Sequence, residues 1–138
     1  MTTMTTRTQV DTAVANVVRW LETGEAPTGT FADDCFLDLS LPHWRLQSAT
    51  AAEALAIRRE SHPWPGVVRV ERVDHTERGF VIAFEERWDH EDQRWYCREQ
   101  IRADVVDGSI VEMAVYCTGD WDAARQAVHG AEVTLLRP

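Results

Sequence analysis

Two glutamates interrupt segments in which every second residue is apolar or aromatic, and they are the residues best placed to do chemistry. Glu86 lies in the segment 80–88 and Glu99 lies in the segment 95–103. A carboxyl group on such a face loses hydration, which raises its pKa toward values useful for proton transfer near neutral pH. The pattern predicts acid–base chemistry at both glutamates. The alternative is that they stand at strand ends or pair with nearby arginines.

The Asp-Gly pair at 107–108 is the strongest hairpin signal in the chain. A two-residue turn there pairs Val106 with Ser109 and, further along the strands, Glu99 with Tyr116. In this register a phenol lies beside a carboxyl group and can donate a hydrogen bond to a developing oxyanion. A register change of one residue would move the phenol to the opposite face.

The loop 89–93 predicts a second hairpin that continues the same face. It pairs Trp88 with Trp95, Glu86 with Cys97 and Phe84 with Glu99. This aromatic face suits a pocket for a small, largely apolar ligand, although tryptophan also fills cores and interfaces. The thiol on this face fits buried packing better than nucleophilic chemistry, because no histidine lies at a fixed spacing from it.

Histidine and tryptophan also occur together in two proline-containing segments, 42–44 and 62–65. Such residues can line the mouth of a pocket, and histidine exchanges protons near neutral pH. Surface exposure or loop bracing is the alternative. The predicted catalytic residues are Glu99, Tyr116 and Glu86, and the predicted substrate-binding residues are His43, Trp44, His62, Trp64, Phe84, Trp88, Trp95 and Cys97.

Length and charge limit the classes of function. The chain has 138 residues, a mass of 15.7 kDa and a formal charge of −9. This acidic excess works against binding to nucleic acid or to an anionic membrane. No apolar run approaches the roughly 20 residues of a membrane helix, and we expect no signal peptide. The expected partner is therefore a small molecule.

Cysteine and histidine usage predicts neither a disulfide framework nor a metal centre. Three cysteines, an odd number without CxxC spacing, favour reduced thiols and a cytoplasmic location. Five scattered histidines show no HExxH motif, so we predict no metal site.

The elements that must position these residues divide into an early helical part and a late β-rich part. Apolar residues from Val10 to Leu21 recur at helical spacing, with Thr8 as the cap. A capping box at 50–53 opens a second helix that ends before His62. The β-rich segments are 67–73, 80–88, 95–103 and 109–117. The pattern predicts an α+β fold, a curved antiparallel sheet with the N-terminal helices packed on its concave face.

Shorter segments complete the prediction. They are a helical turn at 31–34, a strand at 35–40, an edge strand at 43–47, a short helix at 120–129 and an extended piece at 133–136. We expect a flexible tail at residues 1–7 and a single domain at residues 8–138.

The order of these features resembles the nuclear transport factor 2-like superfamily, and in particular its SnoaL-like polyketide cyclases. The resemblance rests on the segments 31–38, 106–112 and 116–121, the last of which looks like that of uncharacterised bacterial members. It implies a cystatin-like α+β cone with a helix-lidded pocket, chemistry without a cofactor, and a homodimer through the outer sheet face. In the predicted register that face carries Tyr96, Val111, Met113 and Val115.

Three departures separate the chain from the enzymes that it resembles. Ketosteroid isomerases carry a general-base aspartate where this chain has Leu39, and SnoaL-like cyclases carry an aspartate where it has Val115. Limonene epoxide hydrolase uses an Asp-Arg-Asp set, which Arg98, Glu99 and Glu112 approximate only in part, because adjacent strand residues face opposite sides. An enzyme built on this chain needs a different acid–base set.

Two functions remain open. The first is a cofactor-independent cyclase, isomerase, dehydratase or epoxide hydrolase acting on a small, largely apolar metabolite. In it Glu99 is the general acid or base, Tyr116 a donor to an oxyanion and Glu86 a supporting group. The second is a non-catalytic small-ligand-binding or dimeric interaction domain of the same fold, which the missing aspartates favour.

Overall fold

The computed structural model describes residues 5–138, so the first four residues of the predicted tail lie outside it. The elements follow one another in the order α1 (Arg7–Thr23), β1 (Phe31–Leu41), β2 (Trp44–Ser48), α2 (Ala51–Ser61), β3 (Gly66–His75), β4 (Gly79–His90), β5 (Gln93–Val106), β6 (Ser109–Cys117) and α3 (Ala123–Glu132). None of the described helices is long and apolar enough to cross a bilayer.

The strands form one sheet in the order β2-β1-β6-β5-β4-β3. Neighbouring strands are antiparallel except β1 and β6, which run parallel. The predicted α+β class is confirmed, and the parallel pair is a departure from the antiparallel sheet expected. It arises because α2 carries the chain from the β1–β2 hairpin to the far edge of the sheet, from which the meander β3–β6 returns to β1.

Helix α1 is capped by Thr6 and not by the predicted Thr8. The Thr6 hydroxyl accepts a hydrogen bond from the Gln9 amide at 3.1 Å, and the Gln9 side chain accepts one from the Thr6 amide at 2.8 Å. This reciprocal capping box satisfies two backbone donors that the first turn leaves free. The helix packs on the sheet through Val10, Ala13, Val17, Trp20 and Leu21.

Residues 31–34, predicted as a helical turn, belong to β1. Phe31 pairs with Ile110 of β6, and the Ile110 amide donates to the Thr30 carbonyl at 2.8 Å. Pairing with a distant strand here outweighs the local tendency of the segment.

The C-terminal segment also differs from the prediction. Trp121 is held in an extended bridge with Tyr96, so α3 begins only at Ala123 after the Asp122 cap. The helix continues past its predicted end at residue 129, through Gly130 to Glu132. Residues 133–136 form no strand and are exposed.

The predicted register of β5 and β6 is correct at the turn and wrong beyond it. Val106 pairs with Ser109 as expected. A bulge at 104–105 then shifts the following pairs by one residue, so that Glu99 lies opposite Cys117. The predicted neighbour of Glu99, a phenol, is thereby replaced by a thiol.

The bulge moves whole side chains between faces. Val105 pairs with Ile110 and Asp104 pairs with Glu112, so Val111 of β6 is the extra residue without a partner on β5. Tyr116, predicted for the inner face, is 53% exposed on the outer face. Met113 and Val115, predicted for the outer face, are buried in the core.

Candidate active site

A cavity of about 130 Å³ lies between the inner face of the sheet and helices α1 and α2. Its apolar lining residues are Trp20, Leu21, Leu37, Leu39, Leu41, Ala54, Ile57, Ile101 and Val115. Its polar lining residues are Arg58, Ser61, His62, Glu86, Cys97, Glu99, Cys117 and Asp120. Ionisable groups interact strongly in such surroundings, because little water screens them.

Arg58 of α2 forms a bidentate ion pair with Glu86 of β4. Arg58 Nη2 donates to Glu86 Oε1 at 2.6 Å, and Arg58 Nη1 donates to Glu86 Oε2 at 3.2 Å. Arg58 Nη2 also donates to the Leu21 carbonyl at 2.8 Å, which ties α2 to α1. Only 12% of the Arg58 side chain and 4% of the Glu86 side chain are exposed. Each charge therefore depends on the other for compensation.

Sequence reasoning missed Arg58. Thr50 caps α2 as predicted, and Ala54, Ile57, Arg58 and Ser61 then face the cavity, because residues three and four apart share a helix face. An arginine among apolar residues on this face is the signal that points to a carboxylate opposite.

Glu99 of β5 is a half-buried acid beside this ion pair. Burial raises the pKa of Glu99 well above its usual range, and the charge of Glu86 together with a hydrogen bond between the two carboxyl groups raises it further. Burial also acts to raise the pKa of Glu86, but the hydrogen bond from Glu99 and the charge of Arg58 outweigh it and lower that pKa. Glu99 therefore keeps its proton to a higher pH than Glu86 does.

One carboxyl oxygen of Glu99, Oε2, is buried and has no hydrogen-bond partner among the described residues. A buried polar atom without a partner is costly, so a ligand atom that hydrogen-bonds to it is favoured. The predicted donor to this position, Tyr116, is on the other face of the sheet.

Two thiols lie next to Glu99. Cys97 Sγ donates to Glu86 Oε2 at 3.8 Å, and the Gly119 amide donates to Cys117 Sγ at 3.3 Å. A hydrogen bond with Cys117 and burial raise the pKa of Cys97, and the same hydrogen bond lowers the pKa of Cys117. Ligand atoms of Cys97, Glu99 and Cys117 lie within 4.8 Å of one another. Two thiols and a carboxylate are groups that zinc accepts, a cluster that the sequence did not predict.

Of the two predicted binding histidines, His62 lines the cavity and His43 does not. The His62 ring packs edge-on against Trp88 with 4.3 Å between ring centroids. Burial, and then the charge of Arg58, lower the pKa of His62 to about 4, so the imidazole is neutral at pH 7. His43 lies in the β1–β2 turn, and the neighbouring Trp44 is 66% exposed.

Of the remaining predicted binding residues, Cys97 lines this cavity, and Trp64, Phe84, Trp88 and Trp95 lie outside it. Trp64, Trp88 and Trp95 line a second pocket of about 200 Å³ at the end of the β4–β5 hairpin. Asp120, which sequence reasoning did not select, lines both the cavity and this pocket. Phe84 is buried within the core cluster.

The chain matches no family model and no curated protein. Among solved structures it superposes on an NTF2-like protein from Anabaena variabilis with a TM-score of 0.67 and 17% identity, over 85% of this chain and 96% of that chain. It superposes on an LEH-like epoxide hydrolase from M. tuberculosis with a TM-score of 0.61 and 14% identity, over 80% of this chain and 83% of that chain. It also superposes on an NTF-2 like protein of unknown function from Burkholderia xenovorans with a TM-score of 0.57 and 14% identity, over 94% of this chain and 96% of that chain.

The chain has the NTF2-like fold. The resemblance drawn from the sequence is thus confirmed for the fold, and identities this low carry no activity with them.

Within the NTF2-like fold, the positions that the resemblance assigns to general bases are apolar here. Leu39 and Val115 both line the cavity. The partial epoxide hydrolase arrangement is not assembled either, because Arg98 is paired with Glu71 and Glu112 is exposed. The ionisable groups of this NTF2-like cavity come instead from α2, β4, β5 and the end of β6.

Proposed function

We propose that the protein is a cofactor-independent acid–base enzyme that acts on a small, largely apolar molecule. The observation that carries the proposal is the pair Glu86 and Glu99, whose surroundings move their pKa values in opposite directions inside one apolar cavity. Two carboxyl groups in different protonation states at one pH are what acid–base catalysis requires. An LEH-like epoxide hydrolase has the same fold, so the fold is compatible with this class of reaction.

Glu99 is the proton carrier in this proposal. The proton that Glu99 shares with Glu86 leaves that hydrogen bond for an oxygen atom of the substrate, and Glu99 becomes a carboxylate. The charge of Glu86 makes that carboxylate unfavourable, so Glu99 takes a proton back from the substrate or from an attacking water molecule. Arg58 keeps Glu86 ionised in both steps. Isomerisation, dehydration, ring closure and epoxide opening all consist of such proton exchanges.

The cavity volume limits the size of the part of the substrate that reacts. An engineered apolar cavity of about 150 Å³ holds one benzene molecule, and this cavity has about 130 Å³. Ligand pockets are usually larger, at about 300–1,000 Å³. The reacting part is therefore roughly the size of a six-membered ring, and any longer substrate extends past Asp120.

A substrate panel with a matched pair of variants tests the proposal. The panel contains small cyclic epoxides, β,γ-unsaturated ketones and tertiary alcohols, and products are followed by mass spectrometry. Glu99→Gln keeps the shape of the side chain without an acidic proton, so turnover should fall about 10²–10⁴-fold. Glu112→Gln makes the same change at an exposed position of β6 and should leave turnover unchanged. Equal turnover by Glu99→Gln and the wild type would remove Glu99 from the mechanism.

Binding without turnover is the second candidate function, and one observation favours it. Arg58 holds both oxygens of Glu86 and also the Leu21 carbonyl, a closed arrangement that can serve structure alone. Under this function an apolar ligand quenches the fluorescence of Trp20 in the cavity wall and is recovered unchanged. Detection of a chemically altered ligand after incubation would favour the enzyme over binding without turnover.

We infer in addition that the protein forms a homodimer through the outer face of the sheet. After the register correction that face exposes Tyr116, whereas Tyr96 is covered by the Trp121 ring at 5.5 Å between centroids. The contact is therefore expected around Tyr116. Light scattering at micromolar concentration should give twice the chain mass for the wild type and the chain mass for Tyr116→Asp. A wild-type monomer would contradict the inference.

A further inference from the structure

The pocket at the end of the β4–β5 hairpin, the aromatic pocket, differs from the central cavity in its chemistry. Its lining residues are four rings and two carboxyl groups, namely Trp64, Trp88, His90, Trp95, Glu91 and Asp120. No arginine of the described chain is among them. The pocket thus combines electron-rich ring faces with negative charge.

The rings are held in place before any ligand arrives. Trp88 and Trp95 are cross-strand partners, with ring planes within 10° of parallel and centroids 6.4 Å apart. The Trp95 indole N–H donates to the His90 carbonyl at 3.1 Å, and the His90 ring lies 4.0 Å from that of Trp64. Prolines on both sides of Trp64 restrict its backbone. A pocket held in this way loses little conformational freedom on binding.

One of the two carboxyl groups in the pocket, that of Asp120, has no ion-pair partner among the described residues. Although part of its side chain reaches solvent, burial and the charge of Glu86 raise the pKa of Asp120. Glu91 contacts His90 Nε2 at 3.3 Å. A cation bound in the pocket beside Asp120 would offset the repulsion between the carboxylates of Asp120 and Glu86.

We propose that the aromatic pocket binds a small organic cation of the alkylammonium class, with its charged group against Asp120 and the half-buried rings of Trp64 and Trp95. Trp88 is fully buried and forms the floor behind them. The ring faces attract a cation electrostatically, tryptophan most strongly of the aromatic side chains. Anions are repelled by the two carboxyl groups, and a neutral ligand gains the apolar contact alone. The binding does not rest on the proposed catalytic function, since it is measured without turnover.

Choline and its uncharged analogue 3,3-dimethylbutan-1-ol test the proposal, because the two have the same shape and differ in charge. Each is titrated into the full chain at pH 8 and constant ionic strength, with calorimetry and tryptophan fluorescence as readouts. Choline should bind at least about tenfold more tightly than the alcohol, as expected for a desolvated cation–π site. Equal binding of the two compounds would overturn the proposal, as would no saturation by choline up to about 50 mM.

Matched variants locate the binding. Trp64→Leu should weaken choline about tenfold, whereas Trp64→Phe keeps a ring and most of the affinity. Trp44→Leu makes the same change at an exposed tryptophan outside the pocket and should have no effect. Asp120→Asn should weaken choline and leave the alcohol unaffected. Choline binding that is equal in the Trp64→Leu and Trp44→Leu proteins would place the ligand elsewhere and reject the site.

Discussion

Arg58 and Glu86 are joined by two hydrogen bonds, at 2.6 and 3.2 Å, across the space between helix α2 and strand β4. The two residues are 28 positions apart in the chain. Their contact fixes the helix over the sheet, and it also keeps an ionised carboxylate next to Glu99. Stability and the protonation of Glu99 are therefore linked through one ion pair.

Removal of the arginine should destabilise the protein strongly. Arg58→Met leaves Glu86 buried without a counter-charge, and the free energy of unfolding should fall by about 3 kcal/mol. Urea denaturation measures the change. Arg59→Met alters an exposed neighbour on the same helix and should stay within about 0.5 kcal/mol of the wild type.

Removal of both charges should cost less than removal of one. The double variant Arg58→Met, Glu86→Leu removes the buried charge of Glu86 together with its partner, so it should recover part of the stability lost by Arg58→Met. If Arg58→Met instead unfolds at the same urea concentration as Arg59→Met, the ion pair does not hold α2 to the sheet.

Replacement of glycine by alanine should have opposite effects on stability at two positions of the chain. A Cβ at Gly79 would lie 2.1 Å from the Ala103 carbonyl oxygen, so Gly79→Ala must displace backbone beside the bulge and should cost about 2 kcal/mol or more. A Cβ at Gly130 would meet no atom within 4 Å, and this residue lies inside α3. Gly130→Ala should therefore stabilise by about 0.5–1 kcal/mol. Thermal unfolding of both variants separates these outcomes, and a tolerated Gly79→Ala would contradict the close strand contact.

Local turn chemistry predicts the β4–β5 pairing, but it does not predict the β5–β6 register beyond the turn. The loop 89–93 places Glu86 beside Cys97, which the structure confirms. The β5–β6 register depends on a bulge that leaves Val111 of β6 without a partner on β5. No spacing within the hairpin reveals this bulge, so the predicted register is one residue off beyond the turn.

The site could be predicted in part for the same reason. Glu86 and Glu99 are visible in the sequence because carboxylates interrupt an apolar alternation. Arg58 is harder to find, since α2 buries only Ala54 fully and its spacing therefore shows no clear apolar stripe. Cys117 reaches the site through the bulge, which the alternation cannot show.

The cluster of Cys97, Glu99 and Cys117 provides a test between metal chemistry and acid–base chemistry. Metal binding requires deprotonated ligands, whereas the proposed acid is a protonated Glu99. Dialysis against EDTA should therefore leave both turnover and the thermal midpoint unchanged. One zinc ion per chain by mass spectrometry, lost in Cys117→Ser and kept in Cys35→Ser, would replace the acid–base proposal with a metal site.

The raised pKa of Glu99 should make the protein less stable as the pH rises. The folded state keeps the Glu99 proton to a higher pH than the unfolded chain, in which a glutamate has a pKa of about 4.3. Below that pH Glu99 is protonated in both states, and its full contribution to the free energy of unfolding is present. As the pH rises toward the pKa of Glu99 in the folded state, this contribution is lost by up to about 1.4 kcal/mol per pH unit.

Urea denaturation between about pH 5 and 8 measures this loss, with Glu99→Gln as the reference because glutamine releases no proton. The stability of the wild type relative to Glu99→Gln should decline through this interval. Glu112→Gln, the same change on an exposed glutamate, should follow the wild-type curve. A constant difference between the wild type and Glu99→Gln would mean that Glu99 ionises at the same pH in the folded and unfolded states. The cavity would then hold no carboxylic acid at neutral pH, and the proton carrier of the proposed mechanism would be absent.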